Sequence, residues 1–299
     1  MNILDFKEII PDDYEIFKNC TDELYCNSES SFSTMYMWQH YSNVKYCVKN
    51  NIIYSLFKTN TGKYESFMPY GKYANLPETI EELLKLYKTL QSSLTINLCT
   101  QDFVDFLTCC SDKYDISITE NPNSFDYVYY TDELINLSGK KYHSKRNHIN
   151  SFVKKYNYDY VKYNDSLKNE CLEFCSNILN EHYGSSRKDY DTEFYSISKT
   201  FDNIDKFNLK CGLIMVDNKI VALSVGERLN KDYALIHIEK ADYNYRTAYA
   251  VINNLFLKNE FHDTTYVNRE EDMGIEGLRV AKQSYNPCKM LKKYTVEFN

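Results

Sequence analysis

GLIMVDNKIVALSVGERLNKDYALIHIEKAD (Gly212–Asp242) contains three apolar runs separated by two short polar breaks. The breaks, Asp217-Asn218-Lys219 and Asn230-Lys231-Asp232, are short enough for tight turns, so the runs predict an antiparallel meander. Its strands are Cys211–Val216, Ile220–Arg228 and Tyr233–Lys240. A two-residue side-chain period places Val221, Leu223, Val225 and Glu227 on one face of the middle strand. On the third strand it groups Leu235, His237 and Glu239 against Ile236, Ile238 and Lys240. Carboxylates and a histidine at the ends of apolar faces are candidates for general acid–base work, because partial burial moves their pKa toward neutrality.

Working toward the C-terminus, Ala248, Ile252, Leu255 and Phe256 have helical spacing within Tyr245–Phe261. TYVNREEDMGIEGLRVAKQSYNP (Thr265–Pro287) follows. Tyr266 and Val267 read as the end of a buried strand. Asn268, Arg269, Glu270, Glu271 and Asp272 then gather five polar groups, and Gly274 permits a sharp turn. A helix is expected next, with Ile275, Leu278 and Ala281 inward and Glu276, Arg279 and Lys282 along another side. Isolated surface ion pairs contribute only about 0–1 kcal/mol, so stability is a weak reason to collect so many charges. Lys292–Phe298 reads as a last strand.

The first half has the same order. After a mostly helical stretch at 1–43 come three strands, starting at Val44, Ile52 and Tyr64, and a helix entered through Pro77. A strand at Thr95–Leu98, a helix carried by Phe103, Phe106, Leu107 and Cys110, and strands at Asp115–Thr119 and Tyr127–Tyr130 complete it. Three-strand meander, helix, strand, helix, strand occurs twice, which predicts a duplicated α+β architecture divided at 1–155 and 156–299. Near that division, Gly139–Tyr158 carries Lys140, Lys141, Lys145, Arg146, Lys154 and Lys155 with no acid, and Ile149, Phe152, Val153 and Tyr156 mark one helix face. Clustered cations of this kind suit phosphate contact through counterion release.

Composition narrows the class. The chain has 299 residues, 43% hydrophobic, with Tyr 29 and Phe 16, which supplies an aromatic-rich core. A net charge of −7 argues against wholesale nucleic-acid coating and leaves room for a local basic site. No apolar run reaches membrane-spanning length, and the N-terminus lacks a signal pattern, so a cytoplasmic protein is expected. The ten cysteines form no CxxC pair and no histidine stands at zinc-site spacing, which predicts reduced thiols and no metal. P-loop, dinucleotide and serine-elbow motifs are missing.

The NREEDMGIEGLRVAKQSYNP segment, the basic KKYHSKRNHINSF and the meander together resemble the phosphatidylglycerol lysyltransferase C-terminal domain family, over most of the chain and most strongly from Gly139 onward. The resemblance implies a tandem pair of GNAT folds, similar to the Fem aminoacyltransferases, with the acyl donor lying where two central parallel strands splay. The strands in question are Tyr233–Lys240 and Thr265–Arg269. It implies an acyltransferase whose donor is aminoacyl-tRNA, or failing that acyl-CoA, as a co-substrate rather than a permanently bound cofactor. The acceptor would be a small amine or hydroxyl compound. Glu239 or His237 is then expected to take the acceptor's proton, and Arg269 or Asn268 to steady the oxyanion. Lys141, Lys145 and Arg146 would meet donor phosphates, and Glu227, Glu270, Asp272, Arg279 and Lys282 would complete substrate binding. The rival expectation is a non-catalytic module that holds a small ligand or an RNA end.

Overall fold

In the computed structural model, which describes residues 1–21, 24–71, 76–109, 113–245 and 247–299, the chain alternates helices and strands as an α+β protein. Cys110 and Arg246 lie outside the described residues. The N-terminal part holds α1 (Tyr14–Thr21), α2 (Phe32–Ser42), β1 (Lys45–Lys49), β2 (Ile52–Lys58), β3 (Tyr64–Phe67), α3 (Leu76–Thr89), β4 (Thr95–Thr100), α4 (Gln101–Cys109) and β5 (Ile116–Glu120). The middle brings β6 (Asp126–Tyr130), α5 (Thr131–Asn136), α6 (His143–Lys155), β7 (Tyr158–Lys162), α7 (Lys168–Tyr183) and α8 (Arg187–Phe201). The meander forms β8 (Lys210–Val216), β9 (Lys219–Arg228) and β10 (Tyr233–Ala241). After it come α9 (Ala248–Glu260), β11 (Tyr266–Asn268), α10 (Glu276–Gln283), β12 (Lys289–Leu291) and β13 (Lys293–Phe298).

Two mixed sheets result, ordered β1-β2-β3-β4-β13-β5 and β12-β6-β11-β10-β9-β8-β7. Set β1-β2-β3-β4-β13-β5 beside β8-β9-β10-β11-β6-β12 and the internal repeat is visible. In each, an antiparallel meander meets a parallel neighbour, β3 with β4 and β10 with β11. An antiparallel strand from the other half of the sequence follows, β13 on β4 and β6 on β11.

This exchange of strands decides the compact units. One comprises residues 1–126, 271–279 and 290–299, and the other 127–270 and 280–289. The division therefore falls elsewhere than at 155. Residues 127–155 join the second unit because β6 pairs with β11 while α5 and α6 pack on α9. The last strand belongs to the first because it pairs with β4 and β5.

The first unit encloses a charged centre. Lys293 and Asp126 are both fully buried, with the ammonium 2.6 Å from Asp126 Oδ1 and bonded also to Glu29 and Ser28 Oγ. Ligand oxygens of Glu29, Asp126 and Glu271 lie within 4.8 Å of one another, so Lys293 supplies the positive charge that these acids require. Burial pushes the Glu29 carboxyl up to about 7, against the pull of Lys293.

The second unit is built on the meander. The β8–β9 turn has Asp217 and Asn218 at φ 49° and 60°, the paired left-handed conformation of a two-residue hairpin loop. Every residue of β9 except its two ends is buried, as befits an interior strand between β8 and β10. All the described cysteines are free thiols. No helix among the described residues is long and apolar enough to cross a membrane.

Candidate functional site

The site in the second unit begins with an irregularity in β10. Ile236 pairs with Gly226 and Ile238 with the adjacent Val225, so His237 is an extra residue, a β-bulge. Gly226 makes this possible. A Cβ there would stand 2.5 Å from the Leu235 carbonyl oxygen, closer than any side chain tolerates.

The bulge overturns the expected alternation. Leu235 lies opposite Glu227 and Glu239 opposite Ser224. Residues 224 and 227 differ in parity along β9, so Leu235 and Glu239 occupy opposite faces. The one inserted residue flips everything after it. β11 obeys the same geometry. Asn268 pairs with Leu235, and the next two residues separate: Arg269 reaches Glu239 and Glu270 reaches His237.

On one face, the His237 ring, fully buried, sits between Glu227 Oε1 (2.9 Å) and Glu270 Oε1 (2.9 Å), one carboxylate on each nitrogen. Burial works against the charged ring, but the two hydrogen bonds override it and raise the pKa to about 9. His237 is thus an imidazolium with both N–H groups committed. The expectation that it serves as general base does not survive, because no lone pair is free to accept a proton. Asn268 is likewise occupied. Its amide is fully buried, and Oδ1 accepts the Glu270 N–H at 2.8 Å, holding the turn in which Glu270 takes φ 57°.

On the other face the groups are open to chemistry. Arg269 Nη2 donates to Glu239 Oε1 at 2.8 Å, and Asn253 Nδ2 of α9 donates to Glu239 Oε2 at 3.2 Å. Among the described residues, Arg269 Nη1 and Asn253 Oδ1 are buried without a hydrogen-bond partner. Burial disfavours the guanidinium, yet the Glu239 carboxylate holds it charged. The guanidinium lies 4.8 Å from the Tyr285 ring centroid and 5.7 Å from that of Tyr129. Lys145, from α6, packs 3.7 Å over the same Tyr285 ring and donates to Ser284 Oγ at 2.6 Å. Burial pushes the Lys145 ammonium down to about 8, helped by the positive charge of Arg269 and opposed by Glu239.

The other expected residues have structural partners. Lys282 is buried and donates to the carbonyls of Arg269 and Glu270, which secures the end of β11. Of the charged residues of α10, Lys282 turns inward, while Glu276 is exposed and Arg279 half-buried. Ile275 is 48% exposed and Ala281 is exposed too, the reverse of the apolar-inward expectation, because the lysine has carbonyls to satisfy. In the first unit Arg279 holds Asp272 through Nε (2.8 Å) and Nη2 (3.0 Å), while Asp272 Oδ1 accepts the Gly274 N–H.

Nor do the three basic residues form one patch. Lys141 pairs with Glu133 at 2.7 Å, and Arg146 donates to the carbonyls of Leu137 and Gly139 beyond α5. Only Lys145 reaches the Arg269–Glu239 centre. The residues missed by sequence reasoning are Asn253, Ser284 and Tyr285. The sequence signal for Asn253 is an amide within the apolar run AVINNLF, and the structure buries it, whereas a serine and a tyrosine past a helix end carry no such signal.

Comparison with known proteins bears on this geometry. The family model described as phosphatidylglycerol lysyltransferase, C-terminal, matches residues 24–297. The chain belongs to this family. An uncharacterised protein of Mycoplasmoides gallisepticum, MYCGA3080, is 29% identical over 187 residues, which are 62% of this chain and 59% of that protein, so the match spans little more than half of the relative. A conserved protein of unknown function from Bacteroides thetaiotaomicron has a TM-score of 0.91 at 28% identity, covering 98% of this chain and 99% of its own. L-PGS from Bacillus licheniformis superposes at TM-score 0.69 and 15% identity, over 97% of this chain and 92% of that one. FemX follows at 0.64 and 8%, over 98% and 97%. The last two show a common fold. The duplicated GNAT-type architecture, two mixed sheets flanked by helices, is that of this chain.

Proposed function

We propose that the protein is an acyltransferase that carries an aminoacyl group from aminoacyl-tRNA to a small amine or hydroxyl acceptor, with acyl-CoA as the alternative donor. Family membership and the fold shared with L-PGS and FemX support the reaction class. One observation carries the rest: Arg269 Nη1 and Asn253 Oδ1, both bonded through their other ends to Glu239, are buried and unpartnered. An unsatisfied buried polar group costs about 1–3 kcal/mol, so two beside one carboxylate call for a ligand with an acceptor and a donor. An aminoacyl group has both. Its carbonyl oxygen accepts from Arg269 Nη1, and its ammonium donates to Asn253 Oδ1 next to the Glu239 charge.

Chemistry follows from the same groups. As the acceptor nitrogen or oxygen attacks the carbonyl carbon, negative charge grows on the carbonyl oxygen, where the Arg269 guanidinium is already charged and oriented. Glu239 takes the proton released by the attacking group. His237, clamped between Glu227 and Glu270, fixes the bulge that aims Glu239 at Arg269. Lys140, Lys154 and Lys155, exposed on the basic segment, remain for tRNA phosphates in the cytoplasm.

The test uses bulk tRNA charged with radiolabelled amino acids and a pool of polar metabolites, with acetyl-CoA and thiol release as a second arm. Label is expected to move from tRNA into a small product, and Glu239→Gln or Arg269→Lys to slow transfer by about 100-fold or more. Saturable tRNA binding without turnover of either donor would instead support a non-catalytic module.

A further inference from the structure

We propose that a column of three tyrosines on the second unit, Tyr233, Tyr266 and Tyr130, forms with Lys289 a stacking platform for the unpaired bases of single-stranded RNA. The platform is separate from the Arg269–Glu239 site and goes beyond the acyltransferase reading.

The column follows from strand register. Tyr233 opens β10 and pairs with Tyr266, which opens β11 and pairs in turn with Tyr130, the last residue of β6. Residues paired across neighbouring strands carry their side chains on one face. The rings accordingly stack, with centroids 4.9 Å apart and planes at 25° for Tyr233 and Tyr266, and 5.4 Å and 29° for Tyr266 and Tyr130. Tyr233 shares its face with Leu235, so the column lies on the side of the sheet away from Glu239. It also stands at the ends of β10 and β11 opposite to those that carry Glu239 and Arg269. Burial falls along the column: Tyr233 is 9% exposed, Tyr266 is half-buried and Tyr130 is 44% exposed. The inner rings are anchored, and the outer ring is presented to solvent.

A cation accompanies the rings. Lys289 extends from β12, the edge strand beside β6. Its ammonium lies 4.6 Å from the Tyr266 ring centroid and 5.0 Å from that of Tyr233, and donates to the Tyr233 hydroxyl. Lys141, Lys162 and Lys240 of the same unit are each held by a carboxylate, whereas Lys289 makes no ion pair among the described residues. An uncompensated positive charge therefore stands beside an exposed aromatic ring, in a chain of net charge −7. An unpaired base extends a column of stacked rings and brings its own phosphate to the lysine. The bases of a duplex are already stacked on one another and present only edges. An apolar protein partner would have to cover the ammonium without a counter-charge, which is costly.

The test follows the fluorescence anisotropy of a labelled oligoadenylate of about eight nucleotides titrated with the full chain, and of the same strand in a duplex. The single strand is expected to bind and the duplex to bind at least about 10-fold more weakly. Tyr130→Ala and Tyr130→Leu should weaken single-strand binding by about 5- to 150-fold, the range for one lost stacked base, while Tyr130→Phe, which keeps the ring, stays near wild type. Lys289→Gln should lower the log–log salt slope by about 0.7. Ultraviolet irradiation of the wild-type complex should crosslink the strand to Tyr130, located by peptide mass analysis, a readout that does not depend on a variant folding. Tyr130→Leu protein that binds as wild type does, equal affinity for the duplex, or no binding at low salt would each overturn the platform. Loss of binding only on reversing Lys140, Lys154 and Lys155 would move the RNA to α6 and overturn it too. Dimerisation that Tyr130→Leu abolishes, without RNA binding, would assign the face to a second copy of the chain. None of these readouts involves transfer, so the platform and the acyltransferase reading fail separately.

Discussion

His237 and Glu239, two residues apart on β10, lie on opposite faces of the sheet. The intervening bulge gives each a separate environment. His237 is locked as a cation between two carboxylates, and Glu239 is left beside an arginine with an unused N–H. Had the strand been regular, the two would have shared a face.

That arrangement depends on Gly226. Gly226→Ala should force Leu235 away or remove the bulge, because the added methyl meets a backbone oxygen at 2.5 Å. Destabilisation by about 1–3 kcal/mol in urea is expected, as for overpacking in a rigid site. An unchanged denaturation midpoint would show that the bulge does not need the glycine.

The clamp on His237 has a pH signature. The folded-state pKa of about 9 lies above the ordinary 6.5, so the folded form binds the proton more tightly. The stabilisation is complete below about pH 6.5 and is lost as pH rises through 9, with a slope of at most about 1.4 kcal/mol per pH unit. Denaturant titrations between pH 6 and 10 measure it. His237→Gln should flatten this limb; a limb of the same steepness in the variant would assign the effect elsewhere.

Glu29 acts in a lower window. Its carboxyl is raised from 4.5 to about 7, so protonation favours the fold. Stability from this group is present below about pH 4.5 and declines as pH rises through 7. Glu29→Gln should remove that decline and be at least as stable as wild type at pH 8. Lys293→Met should behave in the opposite way, losing several kcal/mol, because it leaves buried carboxylates without their cation. A Lys293→Met protein as stable as wild type would contradict the assignment.

Binding of tRNA should follow exposure. Reversing Lys140, Lys154 and Lys155 together to Glu is expected to reduce the salt dependence of bulk tRNA binding by roughly 2 in log–log slope, about 0.7 per lost phosphate contact. Lys141→Glu should alter the slope less, since Lys141 already neutralises Glu133. Fluorescence titrations at several salt concentrations distinguish these outcomes, and no detectable binding at low salt would remove tRNA as the donor.

Much of this was legible from local pattern. Period-two alternation and turn residues located the meander at 211–240, since hairpin loops and strand faces are set by neighbours in sequence. Of the polar residues crowded at Asn268–Asp272, Arg269 meets Glu239 and Glu270 meets His237, whereas Asp272 pairs with Arg279 in the first unit. The repeated element order predicted two similar sheets, and the strand orders bear this out.

Tertiary structure alone decided the rest. A bulge comes from pairing between strands, so nothing within residues 233–240 announces that His237 is the inserted residue. The exchange of β6 and β13 joins segments more than a hundred residues from the strands they pair with or lie beside, and hydrophobic periodicity cannot choose a partner at that distance. Lysines look alike in sequence. Lys141 found a carboxylate, Lys282 found two carbonyls and Lys145 found an aromatic ring beside an arginine, and only these surroundings separate a surface charge, a strut and a lysine packed beside the Arg269–Glu239 pair.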